Sequence, residues 1–141
     1  MKISAKGLQL IEKHEGCILA SYICPAGKWT VGIGHTRTAK QGMAITKEQA
    51  YDLLKIDVMV AEATVNSCMF AFNQNQFDAL VCLVFNIGSG AFKGSTLLKK
   101  IKGYSGKDEI VHEWSEWNHI GKKEIKGLTN RRKDEILLYF S

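Results

Sequence analysis

Proline is almost absent: Pro25 is the only one in 141 residues. There is no low-complexity run, internal repeat or obvious linker either, so nothing divides the chain into independent domains. Long hydrophobic runs are missing. No stretch approaches the ~20 apolar residues of a spanning helix, and no apolar segment follows Met1-Lys2-Ile3-Ser4. Neither a signal peptide nor stable membrane insertion is therefore expected. The four cysteines, at 17, 24, 68 and 82, form no CxxC pair and stand in no zinc-type spacing with histidine. His112 and His119 have no companions at ligand spacing. Gly32-Ile33-Gly34 opens no helix, as a phosphate-binding loop would. No metal and no other cofactor is expected. Without a secretion signal, reduced thiols are the default.

A long basic run is missing too. The net charge is +5 and the pI about 9.0, but the basic residues are scattered, with short clusters at Lys99-Lys100, Lys122-Lys123 and Arg131-Arg132-Lys133. A basic surface suits a polyanion such as nucleic acid, an acidic membrane or a bacterial wall, and the plainer reading is a solvated face. With no helix-turn-helix and no interleaved aromatic-basic pattern, no nucleic-acid partner is expected.

What is present is an ordinary globular composition, 45% hydrophobic and 23% charged, enough for one core without staples. Ser4 reads as an N-cap for a helix with Leu8, Ile11 and Glu15 on one stripe, stopped by Gly16. Residues 18–23 read as a strand, Pro25-Ala26-Gly27 as a turn, and residues 28–33 as the returning strand. Gly32 and Gly34 weaken that strand, which suggests a close approach of backbone or ligand.

Capping boxes at Thr46/Gln49 and Asn73/Gln76 start two more helices. The first is expected to run unbroken to about Asn66, as a bridge between lobes. The second carries Phe77, Leu80, Val81, Val84 and Phe85 and ends at Gly88. Further helices are expected from Ser95 to Gly103, over 107–119, and from a Thr129 cap to Phe140. Cys68 and Cys82 sit in apolar surroundings and read as buried small hydrophobes. The fold class is α+β, mostly α: a small N-terminal β-hairpin lobe over about 12–60, and a larger helical lobe over about 61–141 plus the first helix. Together they form one domain, 1–141, flanking a substrate cleft suited to an extended ligand.

Glu15 ends an apolar stripe at a helix C-terminus, the negative end of the macrodipole, which favours the protonated carboxyl a glycosidase needs. By position alone, an ordinary surface glutamate is the simpler reading. A partner should come from the hairpin, yet residues 16–30 contain neither Asp nor a second Glu. Ser21, Tyr22, Cys24 and Thr30 are the polar candidates. Cys24 stands at the turn, where a thiolate could polarise water or attack an anomeric carbon. Trp114 and Trp117 fit core packing better than sugar stacking. His14, beside Glu15, faces elsewhere on the helix.

Glu15-Gly16, then Cys24-Pro25-Ala26-Gly27, then Trp29-Thr30-Val31-Gly32-Ile33-Gly34-His35 closely resembles the phage-type lysozymes, the endolysins of glycoside hydrolase family 24. The resemblance continues through Phe85-Asn86-Ile87-Gly88, Ser95-Thr96-Leu97-Leu98 and Gly127-Leu128-Thr129-Asn130-Arg131-Arg132, and so covers essentially the whole chain. The family signature is Glu, eight residues, Asp or Cys, five residues, Thr; Glu15, Cys24 and Thr30 stand at that spacing.

The resemblance implies a lysozyme-like fold and cleavage of peptidoglycan between N-acetylmuramic acid and N-acetylglucosamine, causing host-cell lysis. It implies Glu15 as the acid, Thr30 as a holder of the nucleophilic water, and Cys24 in the place many members give to Asp. It also implies Arg131 as a partner of the catalytic Glu, His35 as a cleft or bracing residue, and Phe85, Asn86 and Asn130 as sugar contacts. A monomer is expected, held in the host cytoplasm before lysis and acting at the wall after release. The alternative is a wall-binding module that has lost catalysis because the Asp is replaced.

Overall fold

In the computed structural model, which describes residues 1–141, the chain separates into two compact units. One comprises Met1–Gly7 with Val60–Ser141, the other Leu8–Met59. The first helix, α1 (Ala5–Glu15), contributes residues 5–7 to the former and 8–15 to the latter.

The unit Leu8–Met59 holds the small sheet. Strand β1 (Ile18–Ile23) pairs antiparallel with β2 (Trp29–Gly32), Tyr22 opposite Thr30 and Ile18 opposite Gly32, with a bulge between Ile18 and Tyr22. The expected turn around Pro25 closes the hairpin. Cys24 N–H donates to the Lys28 carbonyl at 2.9 Å and Gly27 N–H to the Cys24 carbonyl at 2.8 Å. The other edge of β1 is covered by residues 43–45: Ser21 N–H reaches the Met43 carbonyl and Ile45 N–H the Leu19 carbonyl. Covering that edge removes a template for aggregation.

Helix α2 (Lys47–Asp57) begins at the expected Thr46/Gln49 box and packs on β2. Ala50 and Leu54 on α2, Val31 on β2 and Ile11 on α1 are all buried, each large side chain contributing about 1.5–3 kcal/mol of hydrophobic stabilisation. The expected unbroken helix to Asn66 is instead two, because Val58 (φ −79°, ψ −9°) separates α2 from α3 (Met59–Asn66). Val58 stays in right-handed space, so the apolar period carries across the break. Sequence periodicity is blind to a single distorted peptide of this kind.

The other unit is helical. Helix α4 (Gln74–Ile87) starts at the Asn73/Gln76 box, and Gly88 follows its last residue. Its buried face, which includes Phe77, Leu80, Val81 and Val84, packs most extensively on α8 (Lys126–Tyr139). Between them come α5 (Ser89–Lys93), α6 (Thr96–Lys102), α7 (Lys107–Ser115), and a hairpin of β3 (His119–Ile120) with β4 (Lys123–Glu124). Ser95 caps α6 as expected, accepting from Leu98 N–H. Cys68 and Cys82 are buried as expected.

Two boundaries need correction. The helix expected over 107–119 ends at Ser115, because the chain turns there into the β3–β4 hairpin. The N-cap of α8 is Ile125, four residues before the expected Thr129 cap. Thr129 lies inside it, and its hydroxyl is within 3.4 Å of the Ile125 carbonyl and 3.0 Å of Glu124 Oε1, a back-bonding arrangement open to Thr in a helix interior.

Buried polar groups fix this unit. Asp78, fully buried on α4, accepts from the N–H and hydroxyl of Ser4 and from the Gln74 amide. Glu62 accepts Ile3 N–H at 2.7 Å. The N-terminal segment is thus held by side chains rather than by a sheet. On α8, Arg132 grips Glu135 with two contacts, Nη2 to Oε1 at 2.7 Å and Nε to Oε2 at 3.1 Å, both side chains essentially without solvent exposure. Arg132 Nη1 also donates to the Trp117 carbonyl at 3.1 Å. Trp114 is fully buried, edge-on to Tyr139 at 5.1 Å, which settles it as core.

Candidate active site

The three signature positions fall in one unit, Leu8–Met59, on adjoining pieces of local structure. Glu15 is the last residue of α1; Gly16 (φ +76°) ends the helix, its N–H bonded to the Glu12 carbonyl. Half-buried, the Glu15 side chain lies against the tight turn after β2. In that turn Val31 and His35 exchange backbone hydrogen bonds at 2.9 and 3.0 Å around Gly32-Ile33-Gly34. A Cβ placed on Gly34 would stand 3.1 Å from Glu15 Oε2 and 3.7 Å from Cδ. The close approach implied at Gly34 therefore has an occupant, the carboxyl of Glu15, while Gly32 lies against Ala50 and Ile45. Gly34 also has φ +68°, a conformation that L side chains rarely adopt.

Cys24 is half-buried at the hairpin turn. Its thiol is held below the usual cysteine range, first by the hydroxyl of Thr30, then by backbone hydrogen bonding at Lys28, with partial burial opposing them. Hydrogen bonding to the charged form is the general cause. Thr30, on β2, is only 3% exposed, and its hydroxyl is also within 3.1 Å of the Lys28 carbonyl. The spacing of five residues between Cys24 and Thr30 thus has a local reason: the β-turn folds one strand's end back over the other and brings hydroxyl to sulfur.

His35 is 2% exposed, with both ring nitrogens engaged. Nδ1 lies 2.7 Å from Asp57 Oδ2, and Nε2 lies 2.6 Å from the Thr38 hydroxyl and accepts Thr38 N–H at 3.2 Å. An N–H aimed at Nε2 makes that nitrogen an acceptor, so the proton is assigned to Nδ1 and donated to Asp57. His35 therefore braces the turn after β2 to the last turn of α2. Sequence reasoning missed Asp57 as its partner; the two are 22 residues apart, and no motif links them.

The remaining candidates lie in the helical unit. Phe85 and Asn86 are half-buried on the last turn of α4, Asn130 is exposed on α8, and Arg131 beside it is buried. No group of three or more His, Cys, Asp or Glu side chains is placed to hold a metal ion. No helix is long and apolar enough to cross a membrane.

A mostly helical chain with two small antiparallel hairpins, and a glutamate at a helix end in the same unit as a cysteine–threonine pair, defines the class: a lysozyme-like glycosidase. The family profile described as phage lysozyme matches residues 12–135. An endolysin of Acyrthosiphon pisum secondary endosymbiont phage 1 is 44% identical over 145 residues, spanning 100% of this chain and 99% of the relative. Among solved structures, an endolysin from Escherichia coli O157:H7 phage FAHEc1 is similar with a TM-score of 0.92 at 37% identity, over 100% of this chain and 94% of the other. The muramidase domain of SpmX from Asticaccaulis excentricus is similar with a TM-score of 0.90 at 33% identity, over 99% and 98%. The chain belongs to the phage lysozyme family and is a glycoside hydrolase of the lysozyme type.

Proposed function

We propose that this lysozyme hydrolyses the β-1,4 bond between N-acetylmuramic acid and N-acetylglucosamine, with Glu15 delivering the proton to the glycosidic oxygen. The observation that carries the reading is the seating of Glu15. Its carboxyl rests on a turn whose glycine leaves it room, and that turn is braced in turn by His35 and Asp57. A held carboxyl is what general-acid catalysis requires. Cys24 is the second group. With its thiol drawn toward thiolate by Thr30, it polarises a water on the opposite face of the sugar, and Thr30 acts through it as a positioning residue. Water attacks the anomeric carbon as one of its protons passes to the Cys24 thiolate, the glycosidic bond breaks, and the proton from Glu15 goes to the departing oxygen. The product is inverted.

In the helical unit, Phe85, Asn86 and Asn130 are the side chains this reading assigns to sugar contact, and Arg131 to pairing with the acid. His35 enters as a brace. The net charge of +5 favours encounter with an anionic envelope. The enzyme acts as a monomer, held in the host cytoplasm before lysis and reaching the wall on release. One catalytic domain is taken to span 1–141, with an N-terminal lobe of about 12–60 and a helical lobe of about 61–141 plus the first helix.

Two experiments test the site. NMR of the first sugar released should show the inverted anomer, and Cys24→Ser should slow clearing of permeabilised Gram-negative cells by roughly 10²-fold. A retained anomer would replace the water by direct attack of Cys24 through a thioglycoside, and full activity of Cys24→Ser would remove the thiol from the mechanism. Gly34→Ala should lower kcat by about 10–100-fold, since a displacement near 1 Å at the acid is enough for that. Its KM should change little, and unchanged kcat would mean the turn does not set the carboxyl's place.

A further inference from the structure

The helical unit carries a second feature, well apart in sequence from the residues assigned to the reaction. Only two non-glycine residues in the chain have positive φ, Met69 (53°) and Tyr104 (56°). They are also the two most exposed large hydrophobic side chains, at 93% and 83%. Met69 follows the end of α3, where Cys68 and Met69 N–H groups bond back to Val65 and Asn66 carbonyls. Tyr104 follows the end of α6, where Tyr104 and Ser105 N–H groups bond back to Ile101 and Lys100 carbonyls.

The two tips share one patch. Phe70 packs tilted against Phe72 at 4.9 Å and against Tyr104 at 5.4 Å between ring centres. Lys102 is exposed at the end of α6, two residues before Tyr104, and both it and Lys93 act electrostatically on the thiol of Cys68, the residue before Met69. Lys99 is exposed on the same helix as Lys102, and Lys100 is paired to Glu109 at 3.1 Å.

A left-handed backbone at a bulky residue has an energetic cost, and here the strained residues gain nothing by burial, because they point outward. Strain held at an exposed site is a pointer to function rather than to packing. The rings pack tilted against one another instead of being laid out as sugar platforms, and Met69 offers a sugar no polar group. Apolar tips of Met and Tyr, backed by two phenylalanines and flanked by lysines, have the composition of an interfacial anchor on an anionic bilayer. There aromatic residues sit at headgroup level and lysines meet lipid phosphate.

We propose that the Met69/Phe70/Phe72/Tyr104 patch, with Lys93 and Lys102, docks the enzyme reversibly on anionic phospholipid surfaces. It lies on the bilayer and does not span it. The contact would gather the enzyme at the membrane face without engaging the reacting sugar.

Vesicle cosedimentation tests this, using phosphatidylcholine alone against phosphatidylcholine mixed with phosphatidylglycerol. The intact chain should bind the anionic vesicles and leave the neutral ones, and added salt should weaken binding. Met69→Asn/Tyr104→Asn removes both apolar tips with a residue that tolerates left-handed backbone. Lys93→Glu/Lys102→Glu reverses the flanking charge. Each double variant should lower partitioning by about tenfold or more, while hydrolysis of soluble cell-wall oligosaccharide stays at the level of the intact chain. That second readout reports folding, and would show separately if the muramidase reading were wrong. No binding by the intact chain, equal binding to both vesicle types, or undiminished binding by both variants would overturn the proposal. So would a loss of binding to purified sacculi in the variants with vesicle binding unchanged, which would make the patch a wall contact.

Discussion

Glu15→Gln is expected to reduce turnover by roughly 10²–10⁴-fold, the range that a positioned general acid contributes. The amide has the size of the carboxyl, so it can rest on Gly34 as Glu15 does, but it has no proton to give. The loss should therefore fall on kcat, with substrate affinity kept, the signature of an interaction realised in the transition state. Thermal unfolding close to that of the unsubstituted protein would exclude misfolding as the cause. Steady-state rates on cell-wall oligosaccharide check the effect. A variant with an unchanged kcat would move the acid elsewhere in the chain.

Arg132→Met is expected to destabilise the fold by about 3–5 kcal/mol, because it leaves the Glu135 carboxylate buried without its ion-pair partner. It also removes the donor to the Trp117 carbonyl. Arg132→Met combined with Glu135→Leu should recover much of the loss, since replacing both charges removes the uncompensated one. Urea midpoints of the three proteins measure this; a single variant as stable as the parent would mean the pair is not holding α8.

The same pair gives a pH dependence. Burial pushes the Glu135 carboxyl up to about 7 from an ordinary 4.5, against the opposing pull of Arg132 and then Arg131. A carboxyl that binds its proton more tightly folded than unfolded contributes stability that is full below about 4.5 and is lost as pH rises toward about 7. Glu135→Gln should flatten that slope in a series of melting temperatures between these limits. An unaltered slope would assign it to other groups.

Most elements were legible where short-range chemistry fixes them. Thr46/Gln49 and Asn73/Gln76 each carry a reciprocal cap within four residues, and both start helices where expected. Pro25 and the flanking β-rich runs placed the hairpin correctly. What was hidden lacked a local signal. Helix α5 has five residues and contains Gly90, too few to show a period. The β3 and β4 strands have two residues each, too short to alternate. Helix α8 opens at Ile125, with no side-chain cap, while Thr129 inside it looks like one.

The site divides the same way. Glu15, Cys24 and Thr30 were readable as a spaced set, and the influence of the Thr30 hydroxyl on the Cys24 thiol is the physical content of one interval. The positions of Gly32 and Gly34 hinted at close neighbours, but only the fold identified them, Ala50 and Ile45 at Gly32 and the Glu15 carboxyl at Gly34. The His35–Asp57 brace joins a turn to a helix end through tertiary structure alone, and so does the hold of Asp78 on Ser4, 74 residues away.

The most direct test is mass spectrometry of purified sacculi digested by the intact chain and by Glu15→Gln. Soluble muropeptides with hydrated, reducing N-acetylmuramic acid ends are expected from the first and intact sacculi from the second. Equal release by Glu15→Gln would contradict Glu15 as the acid, and anhydro ends in place of hydrated ones would contradict hydrolysis.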